Sequence, residues 1–115
     1  MLFTIRLKDN KGFMRAFKNG AYVSGGMVTV YFFPNKTPYN RLGISVSKKI
    51  GCAVERNRAK RIIRAAYAEC EPMIPIGYDV VFVARNGIAE KKSTDIVRFI
   101  KTRVIKEIDK KAGNK

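Results

Sequence analysis

Residues 48–64 (Lys-Lys-Ile-Gly-Cys-Ala-Val-Glu-Arg-Asn-Arg-Ala-Lys-Arg-Ile-Ile-Arg) carry seven basic side chains and one acid, Glu55. Read as a helix from Val54, at 100° per residue, the run fans Arg56, Lys60, Arg64, Asn57 and Arg61 over roughly 140° of its surface. Arg58 falls apart from them, on the far flank. Ala59, Ile62, Ile63, Ala66, Tyr67 and Cys70 recur at helical spacing beside the basic fan and form the stripe that turns inward. The chemistry open to such a face is polyphosphate binding, because guanidinium groups grip phosphate oxygens bidentately and stack on bases. An isolated basic run is as often a merely solvated helix face. The rest of the chain decides: 24 Lys and Arg stand against 9 Asp and Glu, a net charge of +15 over 115 residues, and Lys48 and Lys49 adjoin the helix. A field of that size attracts polyanions, nucleic acid first and anionic membrane second.

A second constellation is aromatic. Phe13 and Phe17 stand at i, i+4 in a short helical window that follows Asp9 and Asn10. Tyr31 lies in the strand-like run 27–33, on the parity of Met27, Thr29 and Phe33, while Val28, Val30 and Phe32 share the opposite face. Aromatics at helical spacing belong to the core more often than to a binding platform. The second reading is a stacking surface for unpaired bases, at about 1–3 kcal/mol per base. Leu42, Ile44 and Val46 alternate with Gly43, Ser45 and Ser47, and Arg41 joins the small polar face of that strand.

Catalytic chemistry is hard to find. With no histidine in the chain, His bases, Ser-His and Cys-His pairs and His-ligated metals are all excluded. Cys52 and Cys70 make neither a zinc set nor a disulfide framework, and they point to a reducing cytoplasm. The acids are scattered: Asp79 sits in a strand, and Glu69 and Glu71, at a helix end whose dipole disfavours them, are expected to be exposed. No general acid–base pair, phosphate loop or metal site is apparent, so the chain offers no catalytic residue of its own.

The elements that must hold these groups follow from periodicity and breakers. Gly20 is placed to end the first helix as a left-handed residue, and Gly25-Gly26 divides 21–33 into two strands. Pro34, Asn35, Pro38 and Asn40 make a loop, and a strand over Leu42–Val46 leads to the basic helix, about four turns from Val54 to Cys70, which Pro72 and Pro75 stop. Residues 78–84 are the most strand-like run and are expected at the sheet's centre. Ser93 is the expected N-cap of a last helix, with Asp95 in its first turn and Ile96, Val97, Ile100, Val104 and Ile108 turned inward. The expectation is a single α+β domain over residues 1–115, in the order α-β-β-β-α-β-α with a mixed four-stranded sheet, fraying over the lysine-rich end 110–115. The amino terminus lacks the pattern of a secretory signal, and the longest uncharged stretch, between Lys18 and Lys36, reads as strand-turn-strand rather than a membrane span.

The stretch from Leu42 to Arg64, with Arg56-Asn57-Arg58 at its centre and Lys60, Arg61 and Arg64 following, closely resembles the signature of the bacterial ribonuclease P protein subunit. The resemblance extends to Phe13-x-x-x-Phe17-x-x-Gly20 and to Tyr78-Asp79-Val80-Val81, covering most of residues 10–105. It implies a small basic cofactor of a catalytic RNA that removes the 5′ leader of precursor tRNA, one protein per RNA and no further protein partner. The RNA would hold the Mg²⁺ and perform the hydrolysis. It also implies a left-handed βαβ crossover, against the usual handedness. Carried over by position, Lys48, Lys49, Arg56, Asn57, Arg58, Lys60, Arg61 and Arg64 would face the RNA subunit, and Phe13, Phe17, Tyr31, Arg41 and Ser45 would line the cleft for the single-stranded leader. Glu55 departs from the family pattern by placing an acid just before the motif, and the amino-terminal arm, with Arg6, Lys8 and Lys11, is sparser in cations. A structural RNA-binding protein of ribosomal type fits the composition equally well; a membrane-surface protein does not, because the small apolar stripe of the basic helix must cover the sheet.

Overall fold

The computed structural model describes residues 2–113. Four α-helices and a five-stranded mixed sheet follow the described residues as β1 (Thr4–Arg6), α1 (Asn10–Asn19), β2 (Ala21–Ser24), β3 (Val28–Pro34), β4 (Asn40–Ser45), α2 (Ala53–Cys70), β5 (Tyr78–Ala84), α3 (Ser93–Phe99) and α4 (Ile105–Gly113). A π-helical turn over Ile100–Val104 joins α3 to α4 without a break. The order across the sheet is β1-β4-β5-β3-β2. The β2–β3 hairpin and β3–β5 are antiparallel, whereas β4 runs parallel to both β1 and β5. The crossover between parallel neighbours is β4–α2–β5, and β5 occupies the centre as its composition requires.

The alternation read along β3 sorts the two faces. Val28, Val30 and Phe32 join Ile63, Ala66 and Tyr67 of α2 and Ile96, Ile100 and Ile108 of the carboxy-terminal helices in the main core. On the other face α1 lies across β3 and β5, and Leu7, Ala16 and Val81 form a smaller core flanked by Phe13, Tyr31 and Val83. Each face is therefore apolar where a helix covers it.

Four expectations need correction. The sheet has five strands, not four, because Thr4–Arg6 adds a parallel edge to β4. Three residues are too few for periodicity to reveal, and β1 is held by a distant side chain: Glu71, only 2% exposed rather than solvated, accepts from the Leu2 and Phe3 amides at 2.7 and 3.0 Å and from the Thr4 hydroxyl. Gly20 is extended at φ −79°, not left-handed. A Cβ there would meet the Ala16 and Phe32 carbonyl oxygens at 2.5 and 2.9 Å, so close approach requires the glycine. Ser93 is the first residue of α3 rather than its cap; Asp95 reaches back to the Lys92 amide at 2.9 Å. Helix α4 runs to Gly113, and residues 114 and 115 of the end expected to fray lie outside the described residues. No helix among the described residues is long and apolar enough to cross a membrane.

Candidate nucleic-acid interface

Helix α2 begins where Gly51, at φ +149°, turns the chain out of the short 3-10 turn Lys48–Ile50. Glu55 accepts from the Cys52 amide at 3.2 Å, closing the helix's first turn. The one acid of the motif is thus used in capping, where the helix dipole favours it. Ala59, Ile63, Ala66, Tyr67 and Cys70 are buried against the sheet, while Ile62 is only partly covered. Burial raises both the Tyr67 hydroxyl and the Cys70 thiol above their ordinary pKa values. The thiol therefore stays protonated and behaves as a small core group.

The basic side chains divide around this helix as the 100° spacing predicts. Lys60 and Arg64 turn toward the amino-terminal arm, where with Arg6 and Lys8 they surround a cleft of about 540 Å³. Arg58 sits on the other flank, and its Nε donates to the Ala89 carbonyl at 2.7 Å, against the turn Ile88–Glu90. Arg61 and Asn57 are exposed, as are Lys48 and Lys49, and Arg56 is half-buried with its Nε atom unpaired. None of these cations forms an ion pair among the described residues: the two pairs present join Arg41 to Asp79 and Lys101 to Glu69.

On the α1 face of the sheet the aromatics stand together. Phe13 and Phe17 are 6.3 Å apart between ring centroids, Phe17 meets Tyr31 edge-on at 5.0 Å, and Tyr31 continues to Tyr22 at 5.5 Å. Gly43 makes room for this row, because a Cβ there would lie 2.7 Å from the Phe13 ring. Phe17 and Tyr22 are 37% and 64% exposed, whereas Phe13 and Tyr31 are partly buried against the smaller core, so the row is an aromatic surface anchored in that core. Ser45 lies on the same face, and register places it in a row with Val83 and Thr29.

Two members of this surface escape sequence reasoning. Tyr22 is the cross-strand partner of Tyr31, a pairing legible only once the hairpin register is known. Arg85 folds its Nε onto the Thr29 hydroxyl at 3.0 Å, placing a cation over the row that contains Ser45. The alternation of Val81 and Val83 continued by two residues is the signal that finds it. Arg41 does lie on this face, but its guanidinium is engaged: Nε and Nη2 donate to the Asp79 carboxylate at 2.7 and 3.2 Å, and Asn35 Nδ2 donates to the same carboxylate at 3.0 Å. Asp79 is fully buried, so Arg41 first satisfies an internal charge.

Comparison with known proteins agrees with the motif. The sequence model of the family described as Ribonuclease P matches residues 2–108. The chain is 39% identical over 99 residues to the ribonuclease P protein component of Clostridioides difficile strain 630, spanning 85% of this chain and 87% of that one. It is 45% identical over 85 residues to the component of Caldanaerobacter subterraneus subsp. tengcongensis, spanning 74% and 73%. The fold superposes on the RNase P protein of Staphylococcus aureus with a TM-score of 0.74 at 34% identity, covering 93% of this chain and 94% of that one. On the RNase P protein of Thermotoga maritima it gives 0.74 at 27% identity, covering 92% and 96%. A match along nearly the whole chain, a shared fold and an intact Arg-Asn-Arg helix lead to one conclusion: this protein belongs to the ribonuclease P protein family.

Proposed function

We propose that the chain is the protein subunit of a ribonuclease P holoenzyme, acting in tRNA 5′ maturation with the α2 face on the catalytic RNA and the aromatic face on the single-stranded leader of precursor tRNA. The observation that carries this reading is the separation of two surfaces on one small fold. Among the described residues the α2 cations lack acidic partners, and the row Phe13–Phe17–Tyr31–Tyr22 lies on the opposite side of the sheet from the main core. Free cations bind a phosphate backbone by counterion release, and an exposed aromatic row stacks unpaired bases without reading their order. Lys48, Lys49, Arg56, Asn57, Arg58, Lys60, Arg61 and Arg64 are assigned to the RNA subunit. Phe13, Phe17, Tyr31 and Ser45 are assigned to the leader, with Arg41 at the border of that surface.

Mg²⁺ is assigned to the RNA in this reading, and five of the chain's nine acids are already engaged in the fold. Asp9, Glu55 and Asp95 cap helices, Glu71 and Asp79 are consumed in buried bonds, and no three potential metal ligands gather among the described residues. The chain's own contribution is binding: it offsets phosphate repulsion between two RNAs and fixes the leader relative to the cleavage site. The test is reconstitution of the purified chain with the catalytic RNA of its own organism and labelled precursor tRNA at low Mg²⁺. Protein-dependent release of the leader is expected. Tight RNA binding with no stimulation, in an assay that a known subunit does stimulate, would replace this reading with a structural RNA-binding protein.

A further inference from the structure

The sheet has two outer edges, and the fold blunts only one of them. At β2 the groups on either side of Tyr22 are taken: the Gly20 N–H donates to the Ala16 carbonyl at 2.9 Å, and the Ser24 carbonyl accepts from Arg103 Nη1 at 3.0 Å. The β1 edge is open. The Phe3 carbonyl accepts from the Asn40 amide and the Leu7 amide donates to the Leu42 carbonyl, both at 2.8 Å, so residues 3, 5 and 7 direct their backbone groups to β4. Backbone direction alternates along a strand, so Thr4 and Arg6 turn their N–H and C=O groups away from the sheet. None of these four groups has a hydrogen-bond partner among the described residues. The strand is nevertheless held in place, because Glu71 accepts from the Leu2 and Phe3 amides and the Thr4 hydroxyl. An edge ordered by its own fold and left unpaired is a template for one more strand.

The side chains around this edge are apolar. Thr4 turns to α2 through its hydroxyl contact with Tyr67, so alternation puts Phe3 and Ile5 on the other face, where Ile5 stands beside its register partner Arg41. Both are exposed, as is Leu2. So are Met73, just past Glu71, and Ile76, just before the Gly77 amide that donates to Asn40 Oδ1. Residues 65–84, which supply Met73 and Ile76, contain no lysine or arginine, so this end of the fold suits protein better than a phosphate backbone.

We propose that the outer edge of β1 is a docking site for an extended peptide segment of a protein partner, added as a sixth strand, apolar at alternate positions and acidic between them. Its apolar residues rest on Phe3 and Ile5, and its acids fall on the opposite face, beside Thr4 and Arg6. Charge selects such a partner over a second copy of this chain, which would bring a net +15 against +15. The site uses neither the α2 face nor the aromatic row, so it is independent of the RNA-binding reading.

The test is amide hydrogen exchange of the full chain, resolved by NMR at constant ionic strength. The probes are a short capped peptide alternating glutamate with isoleucine, the same peptide methylated at every backbone nitrogen, its lysine-for-glutamate counterpart, and a short single-stranded RNA. Methylation keeps the charge and the side chains but removes the donors that strand pairing needs. The acidic peptide is expected to slow exchange of the Thr4 and Arg6 amides saturably, by about tenfold, and the other three probes to leave it unchanged. Equal protection by the methylated peptide, the lysine peptide or the RNA overturns the proposal, as does an acidic peptide that protects neither amide. Protection that grows with protein concentration in the absence of peptide gives the edge to a second copy and also overturns it. Ile5→Ser, at an exposed position, is expected to weaken the acidic peptide about three- to fivefold, the worth of a cross-strand apolar contact. Undiminished affinity in a folded Ile5→Ser protein likewise overturns it, and the wild-type comparison decides alone if that variant does not fold.

Discussion

Arg41→Ala is expected to cost the protein stability before it costs it any ligand. The Asp79 carboxylate is fully buried and receives three donors, two from Arg41 and one from Asn35. Truncating Arg41 leaves a buried charge with one neutral donor, a class of change that costs about 3–5 kcal/mol. The Arg41 side chain is 24% exposed, so water reaches the vacated site and reduces the cost to the bottom of that range or just under it, about 2–3 kcal/mol. Against a total stability of about 5–15 kcal/mol for a domain of this kind, that is a large loss, visible as a fall in Tm of roughly 10 °C. Asp79→Asn removes the charge and keeps the shape, so the double variant Arg41→Ala/Asp79→Asn should recover about half or more of the loss. Urea unfolding of the four proteins gives the coupling energy directly. A loss below about 0.5 kcal/mol for Arg41→Ala, or additive effects in the double variant, would refute the view that this arginine is occupied by the fold. Leader affinity should then be compared between the wild type and the stabilised double variant, since the single variant confounds binding with folding.

Tyr31→Ala should weaken precursor tRNA by about 1–3 kcal/mol while sparing mature tRNA and the RNA subunit; equal losses for both tRNAs, measured by equilibrium binding, would remove the aromatic row from the leader site. Arg61→Ala, at an exposed position without an internal partner, should lower the salt slope of RNA-subunit binding by about one unit. Arg58→Ala should do the same and in addition loosen the turn at Ala89, seen as faster amide exchange there. The Glu71 carboxyl is raised by burial but lowered further by its bonds from Thr4, Leu2 and Phe3, so it lies below the ordinary carboxylate pKa. Its contribution is therefore complete above the unfolded pKa and is lost as pH falls through the lower folded value. β1 amides should exchange faster in acid, and Glu71→Gln should reproduce that exchange at neutral pH. Exchange in β1 that is independent of both pH and this substitution would break the link. Gly20→Ala should destabilise the hairpin entry by about 1–3 kcal/mol through its clash with the Ala16 and Phe32 carbonyls.

What the sequence displays well is what neighbours in the chain decide. Helix α2, its buried stripe and the isolation of Arg58 follow from 3.6-residue periodicity, and the two faces of β3 follow from alternation. The misses share a physical cause, which is separation along the chain. Arg41 and Asp79 lie 38 residues apart, and Thr4 and Glu71 lie 67 apart, so nothing local distinguishes these acids from solvated ones. Glu71 reads as exposed because a helix end repels it. It is buried because three donors, at the start of an edge strand too short to predict and in the two residues before it, converge on it. The aromatic surface shows the same limit: Phe13, Phe17 and Tyr31 are visible individually, but Tyr22 needs the hairpin register.

The fate of the acids gives the site its character. Five of them are committed to the fold: Asp9, Glu55 and Asp95 each accept a backbone amide at a helix start, and Glu71 and Asp79 hold an edge strand and a buried arginine. Each is satisfied locally, so it neutralises little of the surface on which Lys48, Lys49, Arg61 and the cleft cations stand. A fold that placed the same acids at i, i+4 from these cations would be more stable alone by a few tenths of a kcal/mol per pair, and it would present a weaker field to RNA. Introducing such a pair, Ala68→Glu beside Arg64, places the acid in the last turn of α2, where the helix dipole offsets the pair, so it is expected to leave the stability of the free chain about unchanged while reducing RNA affinity and its salt slope. Ala68 is exposed and forms no part of the buried stripe, so the substitution tests charge alone. Undiminished RNA affinity in that variant would show that Arg64 and its neighbours act by shape and hydrogen bonding rather than through an unneutralised field.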